Sequence, residues 1–282
     1  MKKRVALNLV FAIVLAACAS GGSGSPGSPT SMAPTASTGS PAPSTAPAAL
    51  TIYGAASLKG ALDKVKAAYE TANPGTTLTI STDSSATLET QIEQGAPADV
   101  FLSADTTNPK KLVDKGLAAG AAVTFAGNKL TIIVPTANPA GIKTPADLAR
   151  SGVKVIAAGD AVPITKYATQ LVGNLAKETG YPANFVAAYT ANIASKEDNV
   201  KAVVAKIELG EGDAGIVYVT DAKASIKVTA VDVPATANVP ATYAGVVVKA
   251  SRNAAAAQAF LAWFAGADGQ AILSTFGFLP PS

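Results

Sequence analysis

The chain has 282 residues, of which 49% are hydrophobic and only 15% charged, so it can bury one large core or two smaller ones. The formal net charge is +3, but removing Lys2, Lys3 and Arg4 at the N-terminus leaves 22 − 3 = 19 basic residues against 19 acidic ones. This balance argues against a nucleic-acid-binding surface. With no histidine and one cysteine, the sequence also excludes internal disulfides, histidine triads and histidine or cysteine metal sites.

Residues 1–17 predict a lipoprotein signal peptide. A short basic region precedes an apolar run from Val5 to Ala17, which is too short to span a bilayer as a permanent helix. The run ends in Leu15-Ala16-Ala17-Cys18 and resembles the lipobox of bacterial lipoproteins. An ordinary signal peptide with an incidental cysteine is the alternative. We therefore expect a secreted protein, anchored to the outer face of the cytoplasmic membrane through lipidated Cys18.

Residues 18–49 predict a flexible tether. After Cys18 the segment is rich in Gly, Ser, Pro, Thr and Ala and has no charged residue, so it cannot form a core. A coil of this length reaches about 30 Å. Such a tether would hold a folded domain near a membrane, and a glycosylated or merely disordered linker would serve equally well.

The folded part begins near Leu50 with strand and helix patterns in alternation. The first predicted strands cover residues 50–53, 77–81 and 99–103. Alternation of this kind indicates a parallel sheet, whose ligands bind outside the carboxyl ends of the strands. Ser57 follows the first of these strands, and Ser84 and Ser85 follow the second. Each serine position is also the predicted start of a helix.

The serines at these two turns have two interpretations. Serine is a preferred helix N-cap and stabilises a helix by about 1 kcal/mol without any ligand. Alternatively, the free N–H groups and positive dipole ends of two helices, together with the hydroxyls, form an anion site that needs no Lys or Arg. The repetition of the same turn at two strand ends weakens the interpretation as helix caps alone, while the residues by themselves do not identify an anion.

A second α/β unit follows from about residue 128. Its predicted strands cover residues 130–135, 153–158 and 214–219, and β-prone segments follow at 226–233 and 243–249. Helices are predicted to begin at Pro163 and after Asn199, and later at 254–265 and 270–276. Tyr218 brings a hydroxyl to the far end of a buried strand, where it is either a ligand donor or an amphipathic core residue.

From Thr51 to Pro280 the chain resembles the molybdate-binding proteins of ATP-driven molybdate importers. The resemblance is carried by GAASL (54–58), SSATLETQIEQGAPADVFLSAD (84–105), GNKLTIIVP (127–135), VP-x-x-x-YA (162–168), DNVKAVVAKIELGEGDAGIVYVTDA (198–222) and FGF (276–278). It implies an α/β, two-lobed periplasmic-binding-protein fold of type II. Each lobe would be a mainly parallel sheet flanked by helices, with the ligand cleft between the lobes. Lobe 1 is expected at 50–128 plus 231–282, and lobe 2 at 129–230.

The resemblance also implies a set of ligand-binding positions. They are Ser57, Ser85 with Ser84 as the register alternative, the backbone N–H groups of Ile164 and Val200, and Tyr218. The chain departs from the family at Ile164-Thr165, where Ala-Gly is usual, but a backbone donor tolerates a changed side chain. No residue is expected to ligate a metal cation, since molybdenum would be bound as an oxyanion, and no cofactor is expected.

The implied function is capture of molybdate, and of the similarly sized tungstate, by a monomer that delivers the anion to an ABC permease and its ATPase. Within transport, the alternative ligands are sulfate, thiosulfate or another oxyanion. A non-transport oxyanion sensor is a second alternative. An enzyme is not expected, although Ser–Lys catalysis with Lys59 or Lys166 is left open by the sequence.

Overall fold

The computed structural model describes residues 47–281. The predicted signal peptide, nearly all of the predicted tether and the predicted lipidation site Cys18 lie outside these residues. Within the described range, no helix combines the length and the apolar character needed to cross a bilayer.

Two five-stranded sheets form the framework of residues 47–281. Their strands, numbered in chain order, are β1 (Ala49–Ala55), β2 (Thr77–Asp83), β3 (Val100–Ser103), β4 (Val123–Asn128), β5 (Leu130–Pro135), β6 (Val155–Ala158), β7 (Ile193–Glu197), β8 (Ala214–Tyr218), β9 (Val228–Val231) and β10 (Ala241–Val247). The strand order is β2-β1-β3-β10-β4 in the first sheet and β7-β6-β8-β5-β9 in the second.

Helices flank both sheets. In the described part of the chain they are α1 (Lys59–Ala72), α2 (Ser85–Glu93), α3 (Thr107–Asp114), α4 (Pro163–Leu175), α5 (Phe185–Ala191), α6 (Val200–Glu208), α7 (Val219–Lys223), α8 (Ala254–Ala265) and α9 (Ala267–Thr275). Short 3₁₀ helices cover Ala56–Leu58 and Pro145–Ala149. The second of these has Thr144 as its N-cap residue and Pro145 as its first residue, and Thr144 forms a capping box with Asp147.

Each sheet is mixed, because one strand runs against the others. In the first sheet β2, β1 and β3 are parallel, whereas β10 is antiparallel to both β3 and β4. In the second, β7, β6 and β8 are parallel, and β5 is antiparallel to both β8 and β9. The reversed strands are the first that the chain forms after crossing between the sheets. After β4 of the first sheet it forms β5 in the second, and after β9 of the second sheet it forms β10 in the first. The predicted two-lobed α/β architecture is confirmed, with this reversed strand in each lobe.

The chain passes between the sheets at two places. It crosses first between Asn128 and Leu130, and returns between Val231 and Ala241. Val231, which the sequence suggested as the first residue of the returning segment, pairs with Ile132 in the second sheet. Each crossing joins an edge strand of one sheet (β4 or β9) to an inner strand of the other (β5 or β10), so two chain segments connect the lobes.

Several elements were predicted closely and others were missed. The bounds of β5 and α8 match the patterns that predicted them, and α4 begins at Pro163 as predicted. The strands β4 and β7 and the helices α5 and α7 had no clear pattern. Both missed strands lie at sheet edges and β7 is only partly buried, so neither shows the continuous apolar run of a central strand.

Candidate functional site

A small cavity of about 10 Å³, partly open to solvent, lies between the two lobes. All six residues singled out from the sequence line it: Ser57, Ser84, Ser85, Ile164, Val200 and Tyr218. Each of them is less than a tenth exposed. The structure therefore brings together residues that are up to 161 positions apart in the chain (218 − 57).

The lobe 1 wall of the cavity is built by two neighbouring parallel strands. Ala55, the last residue of β1, pairs with Asp83, the last residue of β2, so the two strands end side by side. The 3₁₀ turn that contains Ser57 follows β1, and α2 follows β2. A side chain at Gly54 would collide with Leu62 of α1, so glycine there lets the helix pack closely against the strand that carries the turn.

The lobe 2 wall is built by the starts of α4 and α6. Pro163 is the first residue of α4 and has no N–H, so the first free backbone donor of that helix belongs to Ile164. In α6, the side chain of Asn199 accepts the N–H of Ala202 at 3.1 Å, which leaves the N–H of Val200 free at the first helical position. Both free N–H groups belong to residues that line the cavity.

Ser84 and Tyr218 carry hydroxyl groups that have no hydrogen-bond partner. Ser84 is 3% exposed and Tyr218 only 1%, and within the described residues neither hydroxyl oxygen has a partner. Ser84 is the N-cap residue of α2, but its side chain makes no capping bond. Since buried hydroxyls are normally satisfied, two unsatisfied ones facing the same cavity indicate a place for a ligand rather than a core.

The hydroxyl oxygens of Ser57 and Ser85 do have neighbours. Ser85 Oγ accepts the backbone N–H of Ala104 at 3.0 Å, and Ser57 Oγ lies 2.9 Å from the hydroxyl of Tyr243. A hydroxyl that accepts one bond still has a hydrogen to donate. The sequence pointed to both serines but gave no signal for Tyr243, which lies 186 positions from Ser57.

The cavity wall is electrically neutral in its formal charges. None of the described residues that line it is charged. Burial raises the pKa of the Tyr218 hydroxyl well above its usual value of 10.0, so this group is a protonated donor at neutral pH. The positive potential of the site comes from helix N-termini and aligned hydroxyls, which attract an anion without a cationic side chain.

Buried acids lie just outside the cavity wall. Asp221 of α7 is completely buried, and Lys201 Nζ lies 3.0 Å from its Oδ1. Asp105 is also buried and accepts bonds from the hydroxyl of Ser103 at 2.8 Å and the N–H of Asn108 at 3.0 Å. Asp105 is thus occupied by hydrogen bonds, whereas Asp221 is paired with Lys201 through Oδ1 and its Oδ2 has no hydrogen-bond partner among the described residues. Among the described residues no cluster of acidic, histidine or cysteine side chains suits a metal ion.

Contacts across the cleft hold the lobes in a closed arrangement. Asn199 Nδ2 of lobe 2 donates to Asp83 Oδ1 of lobe 1 at 2.9 Å. At the base of the cleft, Asn128 Nδ2 donates to Thr220 Oγ1 at 2.9 Å. Both lobes therefore contact each other around the cavity, as expected for a site in which two lobes close on a small ligand.

The lysines considered for Ser–Lys catalysis are turned away from the cavity serines. Lys59 Nζ bonds to Asp63 at 3.2 Å, and Lys166 Nζ points to Thr107 at 3.5 Å. Neither lysine lines the cavity. A general base for a serine nucleophile must lie within hydrogen-bond reach of it, and this geometry does not provide one.

Comparison with known proteins agrees with this geometry. Residues 50–279 match the family model described as bacterial extracellular solute-binding protein. The molybdate-binding protein ModA of Mycobacterium tuberculosis is 36% identical over 251 residues, covering 86% of this chain and 92% of that protein. The chain belongs to the ModA family of bacterial extracellular solute-binding proteins. This is a family of binding proteins rather than a class of enzymes.

Two further relatives support the assignment. The putative ABC transporter substrate-binding lipoprotein YvgL of Bacillus subtilis is 30% identical over 231 residues, covering 81% of this chain and 85% of that protein. The structure of the Azotobacter vinelandii periplasmic molybdate-binding protein superposes with a TM-score of 0.70 at 26% identity, covering 83% of this chain and all of that one. The solute-binding fold thus extends over the whole described domain.

Proposed function

We propose that the protein captures molybdate, and also tungstate, outside the cytoplasm and delivers it to an ABC permease. The observation that carries this proposal is an uncharged cavity between the lobes whose wall presents the buried, unpartnered hydroxyls of Ser84 and Tyr218. The relatives whose names state that they bind molybdate support the choice of anion. The proposed donors are the hydroxyls of Ser57, Ser85 and Tyr218 and the backbone N–H groups of Ile164 and Val200, with Ser84 as a further hydroxyl.

The chemistry of the cavity suits a fully ionised tetrahedral oxyanion. Burying a dianion without compensation is very costly, whereas each hydrogen bond to a charged group contributes about 1.5–3 kcal/mol net. Helix N-termini contribute further stabilisation. Because the donors come from both lobes, the anion binds the closed arrangement more tightly than an open one and shifts the population toward it.

Selectivity is expected to rest on protonation and on size. The cavity wall has backbone N–H donors and no carboxylate, so only hydroxyl oxygens could accept a proton on the ligand, and monohydrogen phosphate is disfavoured. Tungstate closely matches molybdate in charge, shape and size, and we expect it to bind as well. Sulfate shares the charge and shape but is smaller, and it remains the main alternative ligand, together with thiosulfate.

A ligand screen tests the assignment. In calorimetry and thermal melting of the purified protein, molybdate and tungstate should release binding heat and raise the melting temperature, whereas sulfate and monohydrogen phosphate should do so weakly or not at all. Ligand at about 100 times its dissociation constant stabilises the folded state by about 2.7 kcal/mol. A response to sulfate with none to molybdate or tungstate would overturn the proposal.

The two serines at the start of α2 should differ in their effect on stability. Ser85→Ala removes the acceptor of the Ala104 N–H, so we expect a loss of about 1–3 kcal/mol in unfolding free energy and at least about tenfold weaker molybdate binding. Ser84→Ala removes a hydroxyl without a partner and should weaken binding while leaving the melting temperature of the unliganded protein unchanged. An unaltered dissociation constant in Ser85→Ala would remove Ser85 from the site.

Transport is preferred over sensing because closure around the ligand presents a defined two-lobed surface to a permease. The lipoprotein relative YvgL supports anchoring of this chain through Cys18, and a monomer would suffice for capture. A gene for a permease next to one for an ATPase, in the same cluster as this protein, is the expected genomic context. A sensor would instead be accompanied by a signalling partner.

A further inference from the structure

A buried chain of hydrogen bonds begins at Ser57 and continues through residues outside the cavity lining. Ser57 Oγ is 2.9 Å from the hydroxyl of Tyr243, and that hydroxyl is 3.4 Å from Nδ2 of Asn128. Asn128 Nδ2 also donates to Thr220 Oγ1 at 2.9 Å. The chain thus runs from the cavity, through strand β10 and the end of β4, to the opposite lobe.

The direction of these hydrogen bonds follows from one unambiguous donor. The backbone N–H of Lys129 donates to Asn128 Oδ1 at 2.9 Å, which fixes the side-chain amide with its NH₂ group toward Tyr243 and Thr220. The hydroxyl oxygen of Tyr243 therefore accepts from Asn128. The Tyr243 hydroxyl and Ser57 Oγ lie 2.9 Å apart and either could donate; we assign the donor role to Tyr243 because its buried hydrogen needs an acceptor, whereas the Ser57 hydrogen can be donated into the cavity. Ser57 in turn accepts from Tyr243 and keeps its own hydrogen for the cavity.

We propose that Tyr243 is a positioning residue for the anion site. Its hydroxyl holds Ser57 as a hydrogen-bond donor to the ligand, and the site thereby disfavours protonated anions. This inference rests on the proposed capture of a fully ionised oxyanion. Tyr243 does not line the cavity and acts through Ser57. Without it, the Ser57 hydroxyl is free to rotate, and it can then accept a proton-bearing oxygen as readily as it donates.

The surroundings of Tyr243 keep its hydroxyl in this role. The side chain is completely buried and its ring packs edge-on against Phe125, Phe278 and Tyr218, so it has little freedom to turn. Burial raises its pKa well above the usual 10.0, so the hydroxyl keeps its hydrogen at neutral pH. Ser85 has the same arrangement on a simpler scale, since its oxygen is occupied by the N–H of Ala104.

The first test is Tyr243→Phe, which keeps the ring and removes the hydroxyl. By calorimetry, we expect molybdate affinity to fall about three- to tenfold. Competition by monohydrogen phosphate at about pH 8 should become stronger relative to molybdate, because Ser57 is no longer held as a donor. Tyr69→Phe is the matched control: Tyr69 is a buried tyrosine of the same lobe that packs on Phe260 and Trp263, and its change should leave both affinities unaltered.

A double-mutant cycle separates positioning from a general structural effect. If Tyr243 acts through Ser57, Tyr243→Phe should cause no further loss of molybdate affinity in a Ser57→Ala background. Equal losses in both backgrounds would overturn the proposal, as would a Tyr243→Phe protein with unchanged affinity and unchanged phosphate competition. If the wild-type protein binds neither molybdate nor tungstate, the proposed function fails instead, and the two failures are distinguishable.

A second variant keeps the test available if Tyr243→Phe does not fold. Asn128→Leu removes the donor that fixes the Tyr243 hydroxyl and adds no charge. It should change molybdate affinity and phosphate competition in the same direction as Tyr243→Phe, by a smaller factor, and again only when Ser57 is present. Losses that persist in the Ser57→Ala background would assign Asn128 to the stability of the lobe connection and contradict the proposed chain of donors.

Discussion

Tyr218→Phe should weaken molybdate binding by about 10- to 100-fold while leaving the unliganded protein as stable as before. The affinity loss is that of one hydrogen bond to a charged group, about 1.5–3 kcal/mol. Stability should be unaffected because the Tyr218 hydroxyl is buried and has no partner in the protein, so its removal breaks no internal bond. Calorimetry with molybdate and thermal melting without it measure the two quantities separately.

Tyr189→Phe is the matched control for this experiment. Tyr189 is another buried tyrosine of lobe 2, where burial raises its pKa to about 12, but it does not line the ligand cavity. Its substitution should leave molybdate affinity unchanged. If Tyr218→Phe bound molybdate as tightly as the wild type, the hydroxyl would not be a ligand donor, and the core interpretation of Tyr218 would stand.

Lys201→Met should cause the largest loss of stability among single changes near the site. Lys201 is the cation 3.0 Å from the fully buried carboxylate of Asp221. Removing one partner of such a pair leaves an uncompensated charge and costs about 3 kcal/mol or more. For a domain of this size, that corresponds to a decrease of about 6–12 °C in melting temperature. The melting temperature should be measured without ligand, because Val200 beside Lys201 is a proposed ligand donor and a change in ligand binding would alter the melting temperature as well.

The loss should depend on pH in a defined direction. Burial raises the pKa of Asp221 above its usual 3.8 in the folded protein, and Lys201 opposes that rise, so Lys201→Met raises it further. Below about pH 3.8, the carboxyl is protonated in both the folded and the unfolded chain, and the variant should differ least from the wild type. As the pH rises toward neutral, the unfolded chain loses the proton first, so the destabilisation should grow.

Two controls complete the measurement. Combining Lys201→Met with Asp221→Asn removes the buried charge and should restore most of the stability lost. Lys110→Met removes one partner of the exposed pair with Asp114 and should change stability by less than about 1 kcal/mol. A pH-independent difference between Lys201→Met and the wild type would show that lost packing, and not the charge of Asp221, causes the destabilisation.

The elements that carry the site could be predicted because their signals are local. Ser57 and Ser85 follow short apolar strands at once, Pro163 marks the first turn of a helix, and Asn199 precedes another. Each of these patterns depends on residues only a few positions apart. That these residues bind the oxyanion stays a prediction, which the proposed binding measurements test.

Other features of the site were not predictable from local patterns. The alternative in which Ser84 serves only as a helix cap was open until its side chain was seen to make no capping bond. The reversed direction of β5 and β10 depends on where the chain crosses between lobes. The pairing of Asp221 with Lys201 joins the starts of two helices, α6 and α7, which the sequence places 20 positions apart (221 − 201).

By itself, the sequence determined that two strand-to-helix turns of lobe 1, two helix starts of lobe 2 and one strand-end tyrosine offer neutral donors, and that no cationic cluster is needed to hold an anion. Only the tertiary structure decided which groups those donors meet. Ser57 meets Tyr243 across 186 positions, and Tyr243 meets Asn128 across 115. Hydroxyl and amide directions are set by partners in space, and such partners leave no periodic or local trace in the chain.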